Sequence, residues 1–396
     1  MDSRPERKSA IPDSQHYASF ERIGPGTLAG RYLRRFWQPI ALARELRPGR
    51  ARLLNVLGEE FTLYRGESGR AQVLQSRCPH RGTRLSAGWV EGDSLRCFYH
   101  GWKFDSLGQC IEQPAEQRDL AKKVCITSYP TNEYLGLVFA FFGEGEPPGL
   151  PRLSLFDEAP YLDSSGVYRG CSFFSQMENS VDEVHINFVH RTSSFADAGY
   201  TRHIPKVVAR ETGYGIERTA RRGGECRIGH FLMPNTLLTT VPDPQNEWTQ
   251  HISWRVPVND DSHISFMVDA ISLEGAALEA YRRRRELELA LLARLPSAEE
   301  LARQVLRGER SLDELNDRPD LLTIQDTVAL VGQAGADRSR DLLVGSDSSV
   351  ALLRRIWARE LELLNQGLPG KRWHWPLDVR VTVVPSAEYS AEREAL

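Results

Sequence analysis

Over the first third of the chain, apolar positions come in short runs broken by glycines and polar turns. LLNVLG (53–58), EFTLYRG (60–66), AQVLQS (71–76) and YLGLVFAFF (134–142) predict β-strands, and residues 53–142 predict a small all-β unit. Just upstream, Leu28, Tyr32, Phe36 and Trp37 form the apolar side of a short opening helix that Pro39 ends. GEGEPPGLPRL, at 143–153, suits neither helix nor strand and predicts a linker. Beyond it, TLLTTVP (236–242), WTQHISWRVPV (248–258) and HISFMVDAISL (263–273) predict strands, with helical segments around 177–190, 275–306 and 347–367. Strands and helices in separate runs predict an α+β architecture here. The expected division is an N-terminal segment with the opening helix (1–47), an all-β domain (48–145) and a larger α+β domain (146–396). No fixed-period repeat or low-complexity tract interrupts the pattern, which excludes a solenoid.

Composition narrows the class. Of 396 residues, 41% are hydrophobic and 26% charged, which suits a globular protein with a sizeable core and more than one domain. The 50 Lys and Arg residues oppose 53 Asp and Glu, a net charge of -3, so no global field draws a nucleic acid. The longest charge-free apolar run, Tyr134 to Gly143, is half the roughly 20 residues of a membrane helix. The opening MDSRPERKSAIPDSQ lacks the apolar stretch of a secretion signal, and a cytoplasmic location is the expectation. Six cysteines in such a chain read as thiols or metal ligands rather than a disulfide frame.

Two of them stand beside histidines. Cys78-Pro79-His80 is followed, after sixteen residues, by Cys97-Phe98-Tyr99-His100. Two Cys/His pairs hold either one zinc or a [2Fe-2S] cluster with two thiolates on one iron and two imidazoles on the other. Structural zinc sites usually pair closely spaced cysteines with a helix that carries the histidines. Here each pair opens a tight turn favoured by Pro79, Gly82 and Gly101, and the cluster is the better fit. Cys110, Cys125, Cys171 and Cys226 lack such partners and read as ordinary thiols.

A second constellation lies at 178–190, ENSVDEVHINFVH. On a helix, Asn179, Asp182 and His185 share one face. Five residues advance a helix by about 500°, which leaves His185 and His190 roughly 140° apart. For both to meet one metal the helix must loosen or end between them, with a π-bulge or unwound turn near Asn187. Two imidazoles and a carboxylate make the facial triad of non-haem Fe(II). Asp326, in TIQDTVALVGQ, is the expected carboxylate, ahead of Asp337, Asp341 and Asp347.

CPHRG at 78–82 and CFYHGW at 97–102 resemble the two binding loops of a Rieske domain. EN-x-x-D-x-x-H-x-x-x-x-H resembles the mononuclear iron site of Rieske oxygenase large subunits, and QD-x-x-x-x-x-x-Q the segment supplying their third ligand. Most of residues 20–370 is similar to the phthalate-dioxygenase-like type. The resemblance implies an all-β Rieske domain and a helix-grip (Bet v1-like, START-like) catalytic domain with an antiparallel sheet. It implies that Cys78, His80, Cys97 and His100 hold the [2Fe-2S] cluster, and that His185, His190 and Asp326 hold Fe(II). Asp182 would bridge His185 to the cluster histidine His100 of a neighbouring subunit, and Asn179 would line the iron site. A homotrimer or stacked trimers would follow. Electrons would come from NAD(P)H through a separate flavin and iron-sulfur reductase, or a ferredoxin; this chain has no G-x-G-x-x-G fingerprint of its own. The implied activity is that of a terminal oxygenase hydroxylating an aromatic compound, foremost an aromatic carboxylate. The alternative is an O- or N-demethylase acting as a monooxygenase on a small aromatic substrate.

Two stretches depart from that pattern: Arg340-Asp341-Leu342, where a Glu-His-Leu-like stretch is expected, and the arginine-rich helix at 275–306. Arg282 to Arg285 read as a solvated face. His203, His230, His251 and His263 read as hydrogen-bonded core or pocket residues. An aromatic acid needs a guanidinium partner, for which Arg202, Arg218 and Arg255 are the candidates. A Tyr99 hydroxyl on a cysteine sulfur would raise the cluster potential.

Overall fold

The computed structural model describes residues 14–117, 120–243 and 247–385; the polar opening stretch 1–13 lies outside them. Helices α1 (Ser14–Glu21) and α2 (Leu28–Leu33) come first, and the Thr27 hydroxyl caps α2 by accepting from the Gly30 N–H at 3.1 Å. The opening helix is shorter than expected. It stops at Leu33, where the Arg34 guanidinium turns back onto the carbonyls of Ile23, Gly30 and Leu57. Pro39 instead lies inside β1 (Gln38–Leu42), at a register shift on the edge of a sheet, where its missing N–H is tolerated.

Three antiparallel sheets build the β-rich part. Strands β2 (Ala51–Val56), β3 (Glu59–Arg65) and β4 (Ala71–Gln75) precede the short β5 (Trp89–Glu91), β6 (Ser94–Arg96), β7 (Lys103–Phe104) and β8 (Cys110–Glu112). β9 (Ser128–Tyr129), β10 (Thr131–Tyr134) and β11 (Leu137–Ala140) follow, and the sheets run β1-β11-β10, β2-β3-β4-β9 and β5-β6-β7-β8. The stretch 134–142 is not one strand. Leu135 and Gly136 both take positive φ (54° and 73°), which turns β10 tightly into β11 as a hairpin.

No helix or strand occupies 141–153. After α3 (Ser154–Asp157) and β12 (Tyr161–Arg169), helix α4 (Phe173–Val181) is followed by the one-turn helices α5 (His185–Phe188) and α6 (Ser194–Asp197). Strands β13 (Lys206–Glu211), β14 (Gly215–Arg222), β15 (Glu225–Leu232), β16 (Thr236–Asp243), β17 (Glu247–Asn259) and β18 (Ser262–Ile271) form an antiparallel meander. β12 closes one edge against β18. Helices α7 (Gly275–Leu292), α8 (Ala298–Leu306), α9 (Leu321–Val331) and α10 (Ser348–Asn365) come next, and β19 (Thr382–Pro385) returns to pair with β15. The expected helix at 275–306 is two, parted around Pro296, with Ser297 capping α8.

One apolar core crosses the linker: Phe20, Leu33, Phe61 and Phe139 pack in the same cluster as Phe173, Trp254, Phe266 and Trp357. A smaller core of Cys78, Leu85, Leu95, Cys97 and Phe104 lies under the β5–β8 sheet. A third, of Leu301, Leu315, Leu321 and Ile324, holds α8 against α9 and so places Asp326. Among the described residues no helix is long and apolar enough to cross a membrane.

Candidate metal centres

The Cys/His pairs sit in two loops of matching construction. In the first, the Cys78 N–H donates to the Thr83 carbonyl at 2.8 Å, and the Gly82 N–H to the Cys78 carbonyl at 2.9 Å. In the second, the Cys97 N–H donates to the Trp102 carbonyl at 2.8 Å, and the Gly101 N–H to the Cys97 carbonyl at 3.0 Å. Both turns need a residue at positive φ, supplied by Gly82 (73°) and Gly101 (75°). The loops face each other: the His80 and His100 ring centroids lie 4.4 Å apart, and Trp102 stacks on His80 at 4.7 Å. Both thiols are buried, and burial, with Cys97 beside it, pushes Cys78 up to about 11. His80 Nδ1 is buried without a hydrogen-bond partner. Buried thiols beside an orphaned imidazole nitrogen suit an inorganic centre far better than they suit packing. Among the described residues His185, His190 and Asp326 bring three ligand atoms within 4.8 Å of one another.

Those three residues form the second centre. α4 ends at Val181, because Asp182 takes an extended conformation (ψ 131°) and the chain turns before α5. A first break therefore comes at Asp182, ahead of His185, and Asn179, Asp182 and His185 do not share one helix. Its cause is Glu183, which is drawn into a buried cluster with Arg218 (3.2 Å), Arg222 (3.1 Å) and Tyr200 (3.0 Å). Burial alone would raise the Glu183 carboxyl, but Arg218, Arg227 and Arg222 hold it down at about 2. The Asp182 Oδ1 then accepts from the Val184 N–H at 2.8 Å and starts α5. α5 ends at Phe188, so a helix end does separate His185 from His190, as their angular spacing demands.

His190 Nε2 lies 3.2 Å, and His185 Nε2 3.9 Å, from the same Asp326 oxygen. Of the opposite ring nitrogens, that of His190 has a hydrogen-bond partner and that of His185 is buried with none. His190 Nδ1 is 2.9 Å from Gln325 Oε1, which can only accept, and Nε2 faces the Asp326 carboxylate; burial lowers the ring's pKa, but Asp326 and Gln325 together raise it above the ordinary value. His185 Nδ1 is 3.6 Å from Asp182 Oδ2. Burial opposes ionisation of Asp326, yet His190, His185 and Arg169 hold its carboxyl well below the usual range. The Asn179 amide donates to Asp326 at 3.4 Å and accepts from Gln176 at 3.0 Å. Two imidazole nitrogens converging on one carboxylate suit a metal with open positions.

Residues 36–130 match the Rieske [2Fe-2S] domain family. The oxygenase subunit of 5,5'-dehydrodivanillate O-demethylase from a Sphingobium species is 30% identical, over 87% of this chain and 80% of that one. This chain belongs to the Rieske non-haem iron oxygenases. The alpha subunit of phenoxybenzoate dioxygenase from Ectopseudomonas oleovorans is 29% identical over 90% of this chain and 86% of its own. A solved complex of a carbazole-bound variant oxygenase with ferredoxin, from carbazole 1,9a-dioxygenase, superposes with a TM-score of 0.62 at 17% identity, over 92% of this chain and 100% of that one. The fold is thus that of Rieske oxygenases, with the β-rich domain and the helix-grip catalytic domain. Membership brings a [2Fe-2S] cluster, a mononuclear iron and electrons from NAD(P)H through a reductase.

Around the triad of this Rieske oxygenase is a cavity of about 220 Å³ that Asp182, Asn179, Arg218 and Arg255 also line. Arg202 lies outside it, in a neighbouring cavity, and Arg169 and Arg227 line it without having been singled out by sequence. His251, His230 and His263 are buried and hydrogen-bonded, to Asp269, Tyr214 and the Cys171 carbonyl; His203 is exposed. Tyr99 corrects an expectation: its ring lies half exposed against His100 at 3.8 Å, and among the described residues no hydrogen bond joins its hydroxyl to a cysteine. Arg282 and Arg283 are exposed, but Arg285 is drawn onto Asp163 at 2.7 Å and anchors α7. In the divergent stretch, Asp341 pairs with Arg338 and Arg354, while Leu342 is exposed. Gln325 was within reach of sequence reasoning as the neighbour of a ligand; Arg169 and Glu183 gave no local signal.

Proposed function

We propose that this chain is the terminal component of a multicomponent oxygenase that hydroxylates a small aromatic carboxylate. The observation that supports this reading is the triad cavity, which is lined both by the triad and by four buried guanidiniums. At about 220 Å³ it falls below the roughly 300–1,000 Å³ of sites for drug-sized ligands, and suits one ring with short substituents. Residues 48–145 would accept electrons and 146–396 would bind and oxidise the substrate, after the segment 1–47.

Cys78, His80, Cys97 and His100 hold the cluster in this reading, and His185, His190 and Asp326 the iron. When bound, the cluster supplies single electrons and the iron activates dioxygen beside the ring. Gln325 keeps the His190 ring in the tautomer that leaves Nε2 free. Asp182 orients His185 and links it to His100 of a neighbouring copy, in a homotrimer or stacked trimers. Asn179 steadies the Asp326 carboxylate. The electron donor is a flavin and iron-sulfur reductase fed by NAD(P)H in the cytoplasm, acting directly or through a ferredoxin. A second reading, O-demethylation of a methoxylated aromatic acid, draws on the same residues and is favoured by the Sphingobium relative.

The test is metal content with electron paramagnetic resonance, then oxygen uptake with aromatic acids. About three irons and two sulfides per chain are expected, falling to about two irons in His185→Ala with the reduced-cluster signal intact. An unchanged iron count in that variant would refute the triad. Formaldehyde release from a methoxybenzoate would select demethylation over ring hydroxylation.

A further inference from the structure

Four guanidiniums line the triad cavity, and their partners differ. Arg218 is neutralised by Glu183 at 3.2 Å and also donates to the Ser180 carbonyl. Arg227 is spent on Tyr200, Thr239 and Thr240. Arg169, through Nη1, is pinned to α9 by the Thr323 carbonyl and the Thr327 hydroxyl. Arg255, at the middle of β17, also uses Nη1, which donates within its own strand to the Ser253 carbonyl (2.7 Å) and hydroxyl (2.6 Å). It is 6% exposed, and among the described residues no carboxylate pairs with it; its Nε, like that of the other three, has no hydrogen-bond partner. Burial, with Arg169 and Arg218 alongside, pulls it down to about 9 against the opposing charge of Asp326.

The hydrogen bonds behind it have a consistent sense. The His251 Nδ1–H donates to Asp269 at 2.7 Å, the Ser253 hydroxyl donates to His251 Nε2 at 3.0 Å, and the same oxygen accepts from Arg255. This chain satisfies Ser253 and His251 and fixes the guanidinium by one corner. A buried, oriented guanidinium with its remaining donors unused is built for an anion. The rest of the cavity is apolar where a ring would lie, at Ile186, Phe195, Leu237, Val241, Met267 and Leu322.

We propose that Arg255, held by the Asp269–His251–Ser253 chain, is the specificity-determining anchor for the carboxylate of a single-ring aromatic acid. The inference rests on the oxygenase reading above and names the recognition element of its substrate. No bond is made or broken at Arg255; it is a positioning residue that fixes which ring edge meets the iron ligands.

The experiment is anaerobic calorimetric titration of the iron-loaded holoenzyme with benzoate and 3-methoxybenzoate, and with their neutral amides, in wild type, Arg255→Gln and Arg255→Lys. Acids should bind at least about tenfold more tightly than amides in wild type, the scale of one charge-assisted hydrogen bond. Arg255→Gln should weaken the acids about 10- to 100-fold and change amide binding less than about twofold. Arg255→Lys, which keeps the charge but not the fork, should fall between them. Acids binding no better than amides in wild type, including no binding by either, overturn the proposal. So does acid binding that is undiminished in Arg255→Gln, or an equal loss for acids and amides. Should Arg255→Gln lose the cluster signal, the same criteria apply to Arg255→Lys, where acid binding equal to wild type is the refuting result. Acids that bind through Arg255 without stimulating oxygen uptake refute the oxygenase reading and leave the anchor standing. Acids oxidised with an unchanged KM in Arg255→Gln do the reverse.

Discussion

Gln325 Oε1 and Asp182 Oδ2 each face the far nitrogen of a triad histidine, at 2.9 Å and 3.6 Å. Partners of this kind set the tautomer and the basicity of the ligating nitrogen, and their loss costs about 10- to 100-fold in metal affinity. Gln325→Leu should therefore weaken ferrous iron binding by that factor, read by titration of the metal-depleted protein, with the cluster signal unchanged. Loss of the cluster signal as well would mean general unfolding, and unchanged affinity would remove Gln325 from the site. The candidate ligands stood out in the sequence because their chemistry is rare: thiols beside imidazoles, and two imidazoles near an acidic helix. Arg169 and Glu183 did not, since an arginine or a second acid has many ordinary uses, whereas Gln325 stands directly before Asp326 in the sequence. Their roles come from neighbours that only the fold supplies.

α4 carries Asn179 toward the iron site on one side and Glu178 into the protein on the other. Glu178 is 4% exposed and meets Arg354, Arg338 (2.7 Å) and the Tyr17 hydroxyl, a donor at 3.0 Å, so α1, α4 and α10 are tied at one carboxylate. Removing one member of such a cluster leaves buried charge uncompensated, at about 3–5 kcal/mol. Glu178→Ala should lower the unfolding free energy, read from a denaturant titration, by that much, whereas Arg340→Ala, on an exposed arginine, should change it by less than about 0.5 kcal/mol. Similar losses in both would refute a role for the cluster. The strands and helices of this part were legible from periodicity, but the break at Asp182 was not. Glu183 is pulled out of the helix by Arg222, 39 residues away, and a periodic pattern carries no trace of so distant a partner. The same blindness to tertiary contacts made 134–142 look like one strand, where Leu135 accepts a positive φ for the sake of the hairpin.

Across the whole molecule the cluster loops stand at an exposed edge, where Phe98 and Tyr99 are half exposed and Trp89, in the same sheet, is 56% exposed. Asp182, beside His185, also keeps a quarter of its side chain open. If electrons pass between copies, the cluster of one chain serves the iron of the next, and two different defects complement each other. Chains with Cys97→Ser lack the cluster and chains with His185→Ala lack the iron, so each assembly alone should be inactive. Co-assembled one to one in a ring, the two should recover about a quarter of wild-type oxygen uptake, because that fraction of contacts joins an intact cluster to an intact iron site. Transfer within a chain predicts no recovery at any mixing ratio, since no single chain is then complete. If the link from His185 to the neighbouring copy passes through the Asp182 carboxylate, adding Asp182→Asn to the chain that keeps its iron should abolish the recovered activity without releasing either metal centre.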